Sequence, residues 1–156
     1  SAFRTSGIRT LFGKMGRERI ILTGPEETIR FGAQFALKLG RPSILALQGD
    51  LGAGKTTFVQ GLLTGMNIQD HAQSPTFTYL QIYQESLYHF DLYRLKSEQE
   101  FLVLGFDEFL GSSAIAVIEW PERIASLLPA DTCLIRLSHH EQNRIAEIST
   151  WGERAI

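Results

Sequence analysis

The sequence lacks long hydrophobic runs and has a single cysteine. No apolar stretch approaches the roughly 18 residues that a bilayer-spanning helix requires, so we expect no membrane partner. Cys133 has no second cysteine to pair with, and its apolar neighbours Leu134 and Ile135 indicate a buried small hydrophobe. We therefore expect a protein of a reducing compartment, the cytoplasm.

Charge is unevenly distributed along the chain. The formal net charge is −2, but residues 1–19 carry five basic side chains against Glu18 alone, a net of +4, which leaves −6 for the remainder. An acidic body does not favour direct electrostatic binding of nucleic acid. The 156 residues, 44% hydrophobic, suit one domain with one substantial core. We predict a flexible basic leader over 1–18, a domain over 19–150 and a tail over 151–156.

The leader has two interpretations. Its arginine and serine content and its lack of acids fit a targeting peptide. A disordered leader without a function fits the same composition.

A glycine-rich motif is the most informative feature of the chain. Residues 49–56 match G-x-x-x-x-G-K-[ST] and follow the apolar run Ile44–Leu47. Glycines at three of these positions permit positive φ, which turns backbone N–H groups toward an anion. Lys55 is predicted to reach the β- and γ-phosphates, and Thr56 to ligate Mg²⁺. The predicted nucleotide-binding residues are Gly49, Asp50, Leu51, Gly52, Ala53, Gly54, Lys55, Thr56 and Thr57. The alternative is a glycine-rich turn without a ligand.

Hydrophobic periodicity around the motif predicts an α/β fold. The class is a three-layer, P-loop NTPase-like domain with a mixed, mostly parallel sheet and an antiparallel hairpin after the motif helix. The predicted strands are Arg19–Leu22, Ile44–Leu47, Phe77–Tyr83, Leu87–Leu92, Ala114–Ile118, Leu134–Leu137 and Ile145–Ile148. One predicted helix begins near Pro25 and ends at Gly40. Three others cover Lys55–Met66, Ser97–Leu104 and Pro121–Leu128.

Three further segments carry chemistry. The apolar strand that ends in Glu119 predicts an acid at the carboxyl edge of the sheet, facing the loop and its Mg²⁺. Thr76 lies on a loop after the motif helix, where P-loop enzymes place a residue that senses the γ-phosphate. Alternation places His89, Asp91 and Tyr93 on one strand face, which indicates a site. A solvated face of an edge hairpin is the alternative.

The order of these motifs resembles the bacterial TsaE family, also called YjeE, over roughly residues 20–148. The matching segments are Gly-Asp-Leu-Gly-Ala-Gly-Lys-Thr-Thr (49–57), Ser-Pro-Thr-Phe-Thr (74–78), His-Phe-Asp-Leu-Tyr-Arg-Leu (89–95), Leu-Gly-Phe (104–106) and Val-Ile-Glu-Trp-Pro-Glu-Arg (117–123). The resemblance implies a Mg²⁺-dependent ATPase that works with the TsaD and TsaB proteins in making threonylcarbamoyladenosine in tRNA. In that family, ATP hydrolysis resets the modification complex, and tRNA is contacted only through the complex.

The resemblance also implies roles for individual residues. Lys55 grips the phosphates, Thr56 and Glu119 hold Mg²⁺, and Asp91 is a further acid at the metal or the water. Thr76 is a switch-type residue, and Trp120 is expected near the nucleotide or the partner surface, although an aromatic at the core edge is equally consistent. Thr28 is a tentative residue for the adenine base by analogy with the family. Arg144 is also tentative, since the Gly-Arg pair of the family is replaced here by Glu141-Gln142-Asn143-Arg144.

Other functions remain open at this point. A small-molecule kinase also suits a P-loop on a domain of this size, but it would need a substrate pocket and a basic lid, and the sequence after the motif helix has no arginine-rich cluster. A nucleotide-gated adaptor would bind ATP without needing hydrolysis. A GTPase is disfavoured because the chain has no N-K-x-D segment. The four histidines fit no zinc spacing, and solvated histidines are expected. No arginine finger is evident, so we expect slow turnover alone, with Arg94 and Arg123 as internal candidates.

Overall fold

A seven-stranded mixed sheet forms the centre of the structure, a computed structural model that describes residues 18–41, 43–75 and 77–154. The predicted leader, apart from Glu18, and the predicted switch residue Thr76 lie outside the described residues. The strands are β1 (Glu18–Leu22), β2 (Ser43–Gly49), β3 (Leu80–Tyr83), β4 (Leu87–Asp91), β5 (Ile115–Glu119), β6 (Cys133–His140) and β7 (Asn143–Thr150). The helices are α1 (Pro25–Leu39), α2 (Lys55–Gly65), α3 (Glu98–Val103), α4 (Asp107–Leu110) and two 3₁₀ segments, Pro121–Leu127 and Trp151–Glu153.

The strand order across the sheet is β1-β7-β6-β2-β5-β4-β3. The four central strands β6, β2, β5 and β4 are parallel to one another. The outer strands β7 and β1 on one side and β3 on the other pair antiparallel. The predicted mixed sheet, parallel in its middle and carrying a hairpin after α2, is confirmed.

The sheet is buried on both faces. In β2, Leu45 and Leu47 point into a core with α1 and α2, whereas Ile44 and Ala46 point into a second core on the opposite face. Strands covered on both sides read as continuous apolar runs, which is why β2 shows no alternation in the sequence. The second core contains side chains from α3 and the 3₁₀ segments. Three layers result, as the sequence predicts.

Local sequence signals position the first helix. Pro25 stands at the start of α1, Glu26 and Glu27 occupy its positive end, and Gly40 ends it with a φ of 77°. The first turn of α1 lies beside the loop between β2 and α2, where a Cβ on Gly54 would lie 4.0 Å from Cγ2 of Thr28.

Some boundaries differ from the prediction. Strand β3 begins three residues later than the predicted strand, because Tyr79 has a φ of 64°, which interrupts extended backbone. The predicted helix at Pro121–Leu128 is a 3₁₀ segment whose Ile124 has non-helical dihedrals. Helix α4 was not predicted. The expected tail begins with a 3₁₀ turn whose Trp151 is buried in the second core.

None of the helices in residues 18–41, 43–75 and 77–154 combines the length and the apolar character that a transmembrane span needs.

Helices α1 and α2 meet along a seam of glycines. A Cβ on Gly32 would lie 2.6 Å from the carbonyl oxygen of Phe58. Added methyl groups on Gly61 and Gly65 would overlap the carbonyl oxygens of Ile29 and Ala33. The seam therefore lets the two backbones approach more closely than any side chain allows, which fixes the position of α2 relative to α1.

This seam predicts the effect of Gly61→Ala. In an exposed helix interior, alanine is more favourable than glycine by roughly 0.5–1 kcal/mol. Here we expect the opposite sign, a loss of about 1–3 kcal/mol in unfolding free energy, because the methyl group has no space. Urea denaturation measures this change in unfolding free energy. Gly111→Ala is the control, since a Cβ there meets nothing within 4 Å. A Gly61→Ala chain as stable as the original would contradict the close packing.

Candidate functional site

The glycine-rich loop, residues 49–56, connects the carboxyl end of β2 to the first turn of α2. Gly52 and Gly54 have φ values of 81° and 103°, as the sequence predicts. Gly49 is different, because its φ is not positive. A Cβ there would lie 2.7 Å from the carbonyl oxygen of Leu137, so this glycine is required for contact with β6. The loop thus combines two left-handed turns with a helix N-terminus, an arrangement that suits anions.

The side chain of Lys55 turns back over the loop. Its Nζ donates to the carbonyl oxygen of Gly49 at 2.6 Å and lies 3.4 Å from Oε1 of Glu119. Lys55 is therefore the cation that joins the loop to the end of β5.

Two acids face the loop from neighbouring parallel strands. Asp91 ends β4, Glu119 ends β5, and the two are register partners. Glu119 is 3% exposed, and Asp91 is half-buried. The structure therefore brings together two predicted site residues that are 28 positions apart in the sequence.

The environments of the two acids differ. Burial raises the pKa of Asp91 above its ordinary value, and the negative charge of Glu119 adds to this, although the N–H of Tyr93 opposes it by donating to Oδ1 at 3.1 Å. Burial alone would also raise the pKa of Glu119. The hydrogen bond from His89 and the ammonium of Lys55 outweigh it, so the pKa of Glu119 lies below its ordinary value.

A cavity of about 650 Å³ lies between the loop and these acids. Residues of the loop and of the first turn of α2 line one side, and Ser74, Asp91, Tyr93, Glu119 and Trp120 line the other. Ser74 was not predicted as a site residue, although its loop was. Its Oγ lies 3.2 Å from Oγ1 of Thr56, so the loop after α2 does approach the predicted metal ligand.

Trp120 has an unusual backbone conformation. Its φ of 59° and ψ of 51° are rare for a bulky residue and cost on the order of 1–3 kcal/mol. The indole ring lies 5.0 Å from the ring of Tyr93 and 5.7 Å from Nζ of Lys55. It lines the cavity and also packs against the second core, so it is an aromatic at the core edge that also faces the cavity.

His89 contradicts the expectation that the histidines are solvated. His71, His139 and His140 are exposed, but His89 is fully buried, and its Nε2 lies 2.6 Å from Oε2 of Glu119. The hairpin of β3 and β4 does lie at the edge of the sheet, with β3 outermost, but burial of His89 makes the alternative of a fully solvated face wrong. Alternation did group His89 with Asp91, but it could not show that β5 lies alongside.

A second cavity of about 250 Å³ lies on the other side of the loop, at the start of α1. Thr28, Gly52 and Arg144 are among its lining residues. Nη2 of Arg144 donates to the carbonyl oxygen of Gly52 at 3.2 Å. The tentative base residues therefore do lie together beside the loop.

Each of the two candidate arginine fingers lies over an aromatic ring. Arg94 lies over the ring of Phe77 at 5.1 Å, and Arg123 over that of Trp120 at 5.7 Å. Both are exposed, and neither lines the 650 Å³ cavity.

A metal ion at this site would draw on few protein ligands. The described ranges contain no group of three or more histidine, cysteine, aspartate or glutamate side chains that could hold one. The carboxylates of Asp91 and Glu119 and the hydroxyl of Thr56 are among the side-chain oxygens that line the cavity, together with those of Asp50, Thr57, Ser74 and Tyr93.

Comparison with known proteins places this geometry in a family. The family model described as threonylcarbamoyl adenosine biosynthesis protein TsaE matches residues 22–147. A protein of Treponema pallidum named tRNA threonylcarbamoyladenosine biosynthesis protein TsaE is 43% identical over 121 residues, which are 76% of this chain and 90% of that protein. The Nostoc protein of the same name is 42% identical over 142 residues, 86% of each chain.

A solved structure shares the fold. The crystal structure of Bacillus subtilis YdiB superposes with a TM-score of 0.73 at 29% sequence identity, and the match covers 88% of each chain. The matched family model covers the glycine-rich loop, both acids and His89. The chain therefore belongs to the family of threonylcarbamoyl adenosine biosynthesis proteins TsaE.

Proposed function

We propose that this chain is a Mg²⁺-dependent ATPase that supports threonylcarbamoyladenosine modification of tRNA. Relatives that cover most of the chain carry the name of that pathway. The observation that carries the ATPase proposal is the pairing of Asp91 with Glu119 at one sheet edge, facing a loop with two left-handed glycines. Acids in this position opposite a phosphate-binding loop serve the metal ion and the attacking water in P-loop ATPases.

The residues fit the proposed ligands chemically. Lys55, the turned backbone of the loop and the N-terminus of the 11-residue helix α2 suit a polyphosphate. Mg²⁺ prefers oxygen ligands, which Thr56, Asp91 and Glu119 provide. The volume of about 650 Å³ lies within the usual range for small-molecule sites.

Each side chain has a separate task in this proposal. Bound Mg²⁺ and ATP supply the transferable phosphoryl group and a divalent charge. Lys55 exchanges the Gly49 carbonyl for phosphate oxygens and offsets their charge. Ionised Glu119 only accepts hydrogen bonds, so it orients water or holds the metal ion. Asp91 is the second acid, and Thr76 is proposed as the residue that senses the γ-phosphate.

The base is proposed to occupy the smaller cavity beside the loop. Thr28 and Arg144 line it, and Arg144 is anchored to the loop by Gly52. Since both cavities are lined by Gly52, Gly54 and Thr57, one nucleotide could contact both.

Partners are proposed to complete the site. In the described residues no arginine lines the 650 Å³ cavity, so Lys55 alone supplies side-chain positive charge there. P-loop enzymes without an arginine at the transition state hydrolyse slowly. We propose that the TsaD and TsaB proteins bind this chain, accelerate its hydrolysis and provide its only contact with tRNA.

Removal of the loop lysine tests nucleotide binding. Charge-assisted hydrogen bonds contribute about 1.5–3 kcal/mol, so Lys55→Ala should weaken ATP binding about 10- to 100-fold in calorimetry with Mg²⁺. Lys38→Ala, at an exposed position in the last turn of α1, is the control and should bind normally. Equal ATP affinity of the two variants, or no binding by the original chain, would refute the proposed site.

Removal of the charge on Glu119 tests hydrolysis separately from binding. Glu119→Gln should still bind ATP but release phosphate at least about 10²-fold more slowly, because the amide cannot serve as a base or an anionic ligand. Glu85→Gln, in an exposed hairpin turn, is the matched control. If Glu119→Gln supports full tRNA modification, hydrolysis is unnecessary and the adaptor function is correct instead.

Addition of the partners tests activation. Phosphate release should be slow for the isolated chain and should rise, by about 10-fold or more, when purified TsaD and TsaB are both present, since an arginine or equivalent donor supplied in trans can contribute more than this. The partners alone give the background rate. Equal release with and without them would contradict activation by the complex.

A further inference from the structure

The carboxylate of Glu119 is held from two opposite sides. Oε2 lies 2.6 Å from Nε2 of His89, and Oε1 lies 3.4 Å from Nζ of Lys55. His89 and Glu119 are 0% and 3% exposed. Oε2 of Glu119 therefore contacts the protein interior, and Oε1 faces the loop.

The sheet register explains why His89 stands behind the acid. His89 pairs with Val117, two residues before the pair formed by Asp91 and Glu119. Side chains two residues apart share a face, so His89 lies on the same face as both acids but deeper in the sheet. Glu119 and Asp91 line the 650 Å³ cavity, whereas His89 does not. A ligand in that cavity would meet the histidine only through Glu119.

The two ring nitrogens of His89 have different surroundings. Nδ1 of His89 is buried and has no hydrogen-bond partner within the described part of the chain. A proton on Nδ1 would be a buried donor without an acceptor, which is costly, while a lone pair there is tolerated more easily. We therefore assign Nε2 of His89 as the proton donor to Oε2 of Glu119, 2.6 Å away.

We propose that His89 is a positioning residue for hydrolysis, one that fixes the carboxylate of Glu119 while Lys55 is engaged by phosphate. This inference rests on the proposed ATPase function. Lys55 and His89 are the polar side chains in contact with Glu119 in the described ranges. Once Lys55 turns to a nucleotide, the hydrogen bond from His89 alone keeps Oε1 directed at the cavity, and without it the acid can leave its productive rotamer.

A matched pair of amides isolates the donor. Glutamine places its amide nitrogen near the position of Nε2, whereas asparagine is shorter by one methylene and reaches only the position of Nδ1. We expect His89→Asn to lower kcat for phosphate release about 10- to 100-fold, the range typical of partners that orient a ligating side chain. The Kd for ATP should stay within about 3-fold, because His89 does not line the cavity. His89→Gln should restore kcat to within about 5-fold of the original chain.

The outcomes separate this inference from the function on which it rests. If the original chain neither binds nor hydrolyses ATP, both proposals fail. If the original chain is active and His89→Asn keeps its kcat, or if His89→Gln loses as much as His89→Asn, only the positioning role is refuted. A loss of ATP affinity equal to the loss of kcat would also refute it, because this pattern indicates disruption of the whole cavity.

A measurement on the unaltered chain covers the case in which a variant does not fold. Nitrogen-15 NMR of the imidazole distinguishes the two tautomers, and the His89 signals are identified by their disappearance from the His89→Gln spectrum. We expect Nε2 to carry a proton. An Nε2 without a proton would overturn its assignment as the donor to Glu119.

Discussion

The position of one carboxylate, that of Glu119, links the sheet to the glycine-rich loop. Its contacts with Lys55 and His89 join three elements: the N-terminus of α2, the end of β5 and the interior of β4. A buried carboxylate requires such partners, because an unpaired charge in the interior costs several kcal/mol. The same contacts that make its burial possible determine where its free oxygen points. Stability and site geometry therefore share one set of interactions.

That arrangement depends on the strand order. Strands β2, β5 and β4 are adjacent and parallel, so their carboxyl ends open at the same edge of the sheet. An antiparallel β4 would have placed Asp91 at the far edge. The outer antiparallel strands β1, β7 and β3 extend the sheet without altering this edge. A ligand crevice at the carboxyl ends of parallel strands is the general expectation for open α/β sheets.

The sequence predicted what is encoded locally and failed where the information is non-local. The loop conformation at Gly52 and Gly54, the start of α2 and the acid at the end of β5 follow from spacing and residue type. The predicted positive φ of Gly49 was wrong. Glycine is required at this position because a Cβ would overlap Leu137, 88 residues further along the chain. The contact between His89 and Glu119 was missed for the same reason: alternation shows which side chains share a face of one strand, but not which strand is its neighbour. The left-handed backbone conformations of Tyr79 and Trp120 could not be predicted from residue type, since glycine or asparagine is the usual residue in that conformation.

Charge balance in the cavity explains why two acids and one lysine suit the proposed ligands. Lys55 lies against Glu119, which is kept ionised, while burial and the charge of its neighbour raise the pKa of Asp91. If Lys55 moves to a phosphate group, the pair of acids loses its nearby cation, and their mutual repulsion grows in an environment of low dielectric. A divalent cation bound between them would remove that repulsion and relieve the cost of burying Asp91. Within the proposed function, binding of the metal ion and transfer of Lys55 to the nucleotide would then favour one another, because each makes the other less costly.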